Sequence, residues 1–599
     1  MRFPFPSRAM RLLRNGVLLA CLLAQGAAAA ELSLRLKGGN DDLKDALQGA
    51  SLLSTAMRDK VTDPDEVLAA ADADYARLLA VLYDAGYFSS VLSIRIDGRE
   101  VASISPFDRL DRVDKIVIAA ETGPRFTFRQ AEIAPLAQAT ELPEGFAPGR
   151  PASTGMMQRA VTAAVEGWRD AGRPKARPAG QRIIADHRTR RVDAAFTLDP
   201  GRLAHIGELR VTGNRDVRAG RIIDIAGLDR GAPFSPERLR RSERRLRRSG
   251  AFSSVALTEA EEIDDEGNID IIAQVSEAKP RRIGAGAEYS TDDGFALNAY
   301  WLHRNLRTGA ERLRIEGGVK GIGGTAGGID YNIATTFSRP ATFSPDTDAE
   351  LRLEIQHLDE PEFKLDNFDI ETGVRHIFSD ELEGRLAIGY RHSEVDDDFG
   401  SRSFEIVKLP GALTWDRRDD ELDATEGFYA HATAMPFTDV TDPKPAVRLT
   451  FDGRAYRSVG KVVLAGRVQV GSVAGPGLLD VPPDLLFFSG GGGTVRGHDF
   501  QALAVERPGG RSTGGRSFLG LSVEARMPVT ETIGMVAFTD AGYISDQSVP
   551  GVDGEWHAGA GLGLRYATPI GPIRVDLATP VRGGSSGQVQ LYIGIGQAF

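Results

Sequence analysis

From about Arg282 to Phe599 the chain alternates apolar and polar residues in stretches of about ten, separated by turns rich in Gly, Asp, Asn and Pro. Successive side chains on a strand point to opposite faces, so this dyad pattern predicts a series of β-strands with one apolar and one polar face. Ile283, Ala285, Ala287 and Tyr289 alternate with Gly284, Gly286 and Glu288, and Phe295, Leu297, Ala299 and Trp301 repeat the pattern. Leu562, Leu564 and Tyr566 oppose Gly561, Gly563 and Arg565, while Ile573, Val575 and Leu577 oppose Arg574 and Asp576. The last strand is expected to run through Val589, Leu591, Ile593 and Ile595 and to end on Phe599.

The polar face decides what these strands build. A soluble sandwich could show the same alternation, but a dry core between two packed sheets would not accept Glu524, Arg526, Asp540, Arg565, Arg574 and Asp576 together, which tells against it. No stretch approaches the roughly 18 consecutive apolar residues of a membrane-spanning helix. Strands closed on themselves are the other way to satisfy every backbone group in lipid. At roughly 20 residues per strand and connection, the region predicts a transmembrane β-barrel of about 16 antiparallel strands.

The first half reads differently. Gly86-Tyr-Phe-Ser-Ser-Val91 recurs as Gly250-Ala-Phe-Ser-Ser-Val255, and Asp84-Ala-Gly86 recurs as Asp170-Ala-Gly172. These glycines imply a unit of about 80 residues used three times. The third copy is the clearest. A strand over Ile206 to Val211 leads through Thr212-Gly-Asn214 to a short helix over Val217 to Ile225. Ser235 and Pro236 then supply the N-cap and first turn of a helix that stops at Gly250, followed by a hairpin of Phe252 to Thr258 and Ile269 to Val275. That helix carries Arg238, Arg240, Arg241, Arg244, Arg245, Arg247 and Arg248 around a buried stripe of Leu239 and Leu246. The leading expectation is a solvated face of a small α/β domain; contact with lipid headgroups or a partner beside the membrane comes second.

Composition narrows the setting. A net charge of −11 argues against nucleic acid as the main partner. Arg2, Arg8, Arg11 and Arg14 precede an apolar run from Gly16 to Ala24 and then four alanines ending at Ala30, which predicts a secretory leader over residues 1 to 30. The single cysteine, Cys21, lies within it, in a Leu-Leu-Ala-Cys setting that weakly resembles a lipoprotein box. The nine histidines have no ligand spacing, and no metal or other cofactor is expected. Gly583-Gly-Ser585-Ser-Gly587 fits the G-x-S-x-G pattern but joins two strands rather than a strand to a helix, so it reads as a turn and the chain as no enzyme.

One loop stands out: Gly490-Gly-Gly-Gly-Thr-Val-Arg-Gly-His-Asp-Phe500. Its glycines permit tight packing, with Arg496 at the tip. On the strands that follow, Glu524 and Asp540 share the polar face, so Arg496 is the cation to meet them if that face lines a lumen.

Val495-Arg496-Gly497, with Phe538-x-Asp540-x-Gly542 downstream, resembles the loop-six and inner-wall motifs of the BamA/TamA superfamily of outer-membrane insertases. The resemblance implies that Arg496 pairs with Asp540 and Glu524 beside Phe538. His498 stands where the family usually has Tyr or Phe. The β-α-α-β-β unit likewise resembles the POTRA domain of that superfamily. Three α+β copies, at 31–122, 123–200 and 201–279, ahead of a barrel over 280–599, fit its TamA branch best. The C-terminal strand with Tyr592 and Phe599 resembles the family's sorting signal. Trp415-Asp416-Arg417 with Thr425 and Gly427 resembles a strand-and-turn motif.

The implied function is an outer-membrane assembly factor, with POTRA domains in the periplasm, that inserts β-barrel or autotransporter clients through a laterally opening seam. Glycine and alanine weaken strand pairing, which marks Ile283, Gly284, Ala285 and Gly286 on the first strand and Gly594 and Gly596 on the last as the seam. The partners implied are the outer-membrane bilayer, unfolded clients and a periplasm-spanning TamB-type subunit. A two-partner secretion transporter and a diffusion porin are the rival readings.

Overall fold

The computed structural model describes residues 30–105, 108, 110–291, 293–551, 553–569, 571–583 and 589–599. Apart from Ala30 the expected leader, Cys21 included, lies outside these residues, as does Ser585. The described chain divides into two compact units, the second containing the barrel.

The first unit holds two small sheets with their helices. In one, Glu31–Lys37 pairs in parallel with Lys115–Glu121, which pairs antiparallel with Val91–Ile96. Helices Asp41–Ala50, Leu52–Arg58 and Pro64–Asp84 accompany this sheet, and Leu47, Leu53, Leu78, Leu82, Ile94, Ile116 and Ile118 fill the core. Asp74 is fully buried yet satisfied: it accepts from Ser51 Oγ at 2.6 Å and from the amides of Leu52 and Leu53 at 2.7 and 3.1 Å, capping the second helix from the third. In the other sheet Thr127–Ala134 and Arg177–Asp186 flank Arg191–Asp199. Helix Thr154–Asp170 contributes Met157, Ala160 and Ala164 to a core with Phe126, Phe128, Phe146 and Phe196.

A third sheet orders His205–Thr212, Asn268–Glu277 and Phe252–Glu259, with helices Ala219–Ala226 and Pro236–Arg248. Elements expected in this segment fall within one or two residues of these bounds, and Leu239 and Leu246 are buried. The repeated glycine has one physical cause in all three copies. Gly86, Gly172 and Gly250 lie two residues past a helix end with φ of 87°, 86° and 72°, the left-handed cap that lets the chain turn from helix toward strand.

The barrel closes antiparallel from Arg281–Ser290 to Gln590–Ile595. Gly400–Lys408 and Gly411–Asp416 are halves of one strand, because both pair with Leu382–Asp397 and both with Gly427–Asp439. The break falls at Pro410, which has no N–H for the ladder. Counting the halves once gives 16 strands. The burial pattern is inverted relative to a soluble protein. Val523 is 56% exposed and Leu562 61%, while Glu524 and Asp576 are fully buried. Such a wall needs lipid outside and a charged interior.

The basic helix Pro236–Arg248 is only in part the solvated face expected of it. Arg245 donates to Asp346 at 2.6 and 2.9 Å, Arg248 to the same carboxylate at 3.0 Å, and Arg244 lies 3.0 Å from Asp380. Both acids sit in turns joining barrel strands. Arg221 of the preceding helix donates to the carbonyl of Pro340, and the Arg218 amide to that of Thr308. Arg221, Arg244, Arg245 and Arg248 therefore fasten this module to barrel turns, leaving Arg238, Arg240, Arg241 and Arg247 exposed.

Candidate functional site

The loop between Val462–Ala474 and Ser517–Pro528 folds into the barrel. Leu485, Leu486, Phe487 and Leu503 anchor it in an apolar cluster with Phe363, Phe404, Phe437, Phe518 and Ile544. The Ser489 and Leu503 backbones exchange hydrogen bonds at 3.1 and 2.8 Å, and the Gly491 amide donates to the His498 carbonyl at 3.1 Å. These bonds close the glycine segment into a narrow tongue carrying Val495 and Arg496.

Arg496 is 2% exposed, and every arm of its guanidinium has an acceptor. Nε and Nη2 grip Asp540 as a fork at 2.7 and 3.0 Å; Nη1 donates to Glu524 at 2.8 Å and to Asp576 at 3.3 Å. The cation lies 3.5 Å above the centre of the Phe538 ring. Only arginine supplies a planar fork with enough donors for this set. The surplus of carboxylates is balanced by two further cations: Arg526 donates to Glu524 at 2.9 Å, and Arg565 binds Asp576. The result is a buried network of three arginines and three carboxylates spread over four strands and the loop.

The neighbours of Arg496 are shaped by what they lack. A Cβ on Gly497, whose φ is 96°, would lie 2.7 Å from the Thr579 backbone, and one on Gly542 would meet Ser489 Oγ at 2.3 Å and Val495 at 2.8 Å. The Gly497 amide donates to Tyr592 Oη at 3.1 Å, which ties the tongue to the last strand. His498 packs 4.4 Å from the His557 ring and bonds the Ala558 carbonyl through Nε2 at 2.9 Å.

At the seam, Arg281–Ser290 is in register with Gly294–His303 over its whole length, but with Gln590–Ile595 only at Tyr289↔Ile593 and Ser290↔Tyr592. Ile283 is 77% exposed. Gly284 and Gly286 face Tyr300 and Asn298 across the ladder, and a Cβ would lie 2.3 and 2.7 Å from those side chains. They accommodate neighbours as well as thinning the strand. The last strand is shorter than expected. It ends at Ile595, Gly596 adopts φ of 94°, and the tail turns away from the first strand. Phe599 is buried with Ala424, Tyr456 and Ala465, and its carbonyl accepts from Arg526 at 3.0 Å. Gln597 accepts from Arg565 at 2.7 Å and donates to Asp423 at 2.8 Å.

The sequence pattern puts Arg526, Arg565 and Asp576 on the polar face but does not assign them to the network. Their alternation with apolar neighbours was the available signal. The Tyr592 contact with the tongue has no such signal, because the sequence links Tyr592 only to the terminal strand.

Fold and site together define an outer-membrane β-barrel with a loop clasped inside its lumen. Residues 305–599 match the family profile described as "Omp85 superfamily domain", and residues 204–278 match "Surface antigen variable number repeat", the POTRA family. These stretches thus resemble an Omp85 superfamily domain and a POTRA repeat, and the protein is an outer-membrane protein with its POTRA region in the periplasm. It is 23% identical over 422 residues to the outer membrane protein assembly factor BamA of Nitratidesulfovibrio vulgaris, covering 66% of this chain and 51% of that one. Against BamA of Neisseria meningitidis serogroup B it is 20% identical over 474 residues, covering 67% and 58%. The chain therefore spans between half and three fifths of these relatives. The crystal structure of BamA from Haemophilus ducreyi lacking POTRA domains 1-3 superposes with a TM-score of 0.61 at 16% identity, covering 78% of this chain and all of that one.

Proposed function

We propose that the protein is an outer-membrane assembly factor of the TamA type, which inserts β-barrel or autotransporter clients into the bilayer through its seam. The observation that carries this reading is the seam itself. Two register pairs join the first and last strands, where neighbouring strands elsewhere share up to fifteen. An unpaired strand edge templates a foreign strand. Most of Arg281–Ser290 offers such an edge, in a wall whose outer face already meets lipid.

In this mechanism the three N-terminal modules act as POTRA domains that receive unfolded clients and dock a periplasm-spanning TamB-type partner. A client strand pairs with the free edge of the first strand, further strands add to it, and the new sheet buds into the bilayer. The Arg496 network holds the tongue and the last strands as one fixed bank against which the first strand moves. BamA relatives named as assembly factors support the reading, and the three modules favour the TamA branch.

The test is reconstitution. Proteoliposomes containing the protein should raise the yield of heat-modifiable, folded client above that of empty liposomes while planar bilayers show no steady porin-like conductance. Client yield equal to that of empty liposomes, or a steady open-pore current, would count against it.

A further inference from the structure

Among the described residues the seam carries one tie besides its two register pairs and the hook where Thr291 meets Gln590 and Leu591. Arg574, on the strand before the last, binds Glu288, on the first strand. The two residues are not on adjacent strands. Arg574 faces Gly594 in the ladder of Ile573–Arg582 with Gln590–Ile595. Continuing the seam register one step from Tyr289↔Ile593 sets Gly594 beside Glu288. Arg574, Gly594 and Glu288 thus form a single rung across three strands, and the ion pair passes over the middle one.

Glycine makes this passage possible. A Cβ at Gly594 would lie 3.0 Å from Arg574 Nε and 3.3 Å from Glu288 Oε1. Any side chain there would stand between the charges. The tie is also built to be weak. Arg574 Nε is buried with no hydrogen-bond acceptor among the described residues, and the Glu288 side chain is 53% exposed, so solvent screens the pair. The first strand makes no further register pair with the last strand beyond Tyr289 on this side.

We propose that Arg574 and Glu288 are the latch of the seam, a charge pair bridging Gly594 that holds the first strand against the last and releases when a strand enters between them. A strand inserted there moves Glu288 away by about one interstrand spacing, ~4.8 Å, beyond the reach of Arg574. This deepens the insertion reading and rests on it for its consequence, although the latch is measurable without any client.

The full-length protein in phospholipid liposomes, with spin labels at Ala287→Cys and Ile595→Cys in a Cys21→Ser background, reports the seam by pulsed electron resonance. The native pair should give one short distance, and Glu288→Arg should add a population longer by about 5 Å or more, one strand spacing. The exchange Glu288→Arg with Arg574→Glu should return the short distance. Gly594→Val should open the seam as Glu288→Arg does. Salt near 1 M should lengthen the native distance and leave that of Glu288→Gln unchanged. An unaltered distance in Glu288→Arg, or an exchange variant as open as the single reversal, overturns the latch. An opened seam with undiminished dependence on charge but no client insertion by the native protein would instead retire the insertion reading and keep the latch.

Discussion

The Arg496 network and the seam lie within one barrel wall and are built on opposite terms. Around Arg496, three carboxylates and three guanidiniums are buried, and the cation reaches Glu524, Asp540 and Asp576 on three different strands. At the seam, two register pairs and an ion pair with a half-exposed carboxylate join the first strand to the last two strands. The dense region extends through Gly497 and Tyr592 to the last strand and stops there. One bank of the seam is therefore fixed to the tongue and the tail, while the other is held by its second-strand partner and little else. This asymmetry assigns any opening motion to the first strand.

The comparison is sharpest at its strong end. Arg496→Ala leaves buried Asp540 without its cation and Glu524 and Asp576 with one each, and removing one member of a buried pair costs about 3–5 kcal/mol. The heat-modified band on gels should shift to a markedly lower temperature. Arg496→Lys should recover only part of that loss, since an ammonium cannot grip Asp540 as a fork while reaching Glu524. Next in size is Gly497→Ala, where a left-handed backbone and a Cβ 2.7 Å from Thr579 combine. Overpacking of this kind costs about 1–3 kcal/mol, readable in the same gel series.

A smaller effect is expected where the third module meets the barrel turns. The Arg245 guanidinium, opposed by burial and aided by Arg248, holds Asp346 down to about 2, well below the ordinary carboxylate value. A depressed acid stabilises above its unfolded value and loses that contribution as pH falls through the folded one. The tie should thus be intact above about pH 4 and fade toward pH 2. Hydrogen exchange along Pro236–Arg248 should accelerate over that window in the native protein and already be faster at pH 7 in Arg245→Ala, by no more than about 1 kcal/mol for so screened a pair. Smallest of all is Arg241→Ala. This exposed position on the same helix should change stability by less than about 0.5 kcal/mol.

Much of this was readable in the residues. The alternation in Phe518 to Pro528 reports which side chains face the lumen because lipid on one side and charge on the other leave no ambiguity of face. The Arg496 partners Glu524 and Asp540 follow from that alternation and the family motif together. What escaped has a common cause. The docking of Arg245 and Arg248 on Asp346 joins residues about a hundred positions apart with no periodicity linking them, so a local pattern shows only a basic helix. The inward turn of the tail hangs on the backbone angle of Gly596, which dyad alternation up to Ile595 does not report, and polar Gln597 is the one interruption of that pattern before Phe599. The rung of Arg574, Gly594 and Glu288 requires the closure register, which only the folded barrel fixes.

The central claim is that the first strand must part from the last for clients to enter the membrane. Cysteines at Tyr289 and Ile593, which face each other in the seam register, should form a disulfide that locks the barrel shut without disturbing the Arg496 network. Client assembly in proteoliposomes should fall to the level of empty liposomes when the bond is oxidised and return when it is reduced. Assembly at an undiminished rate with the seam locked would contradict the account.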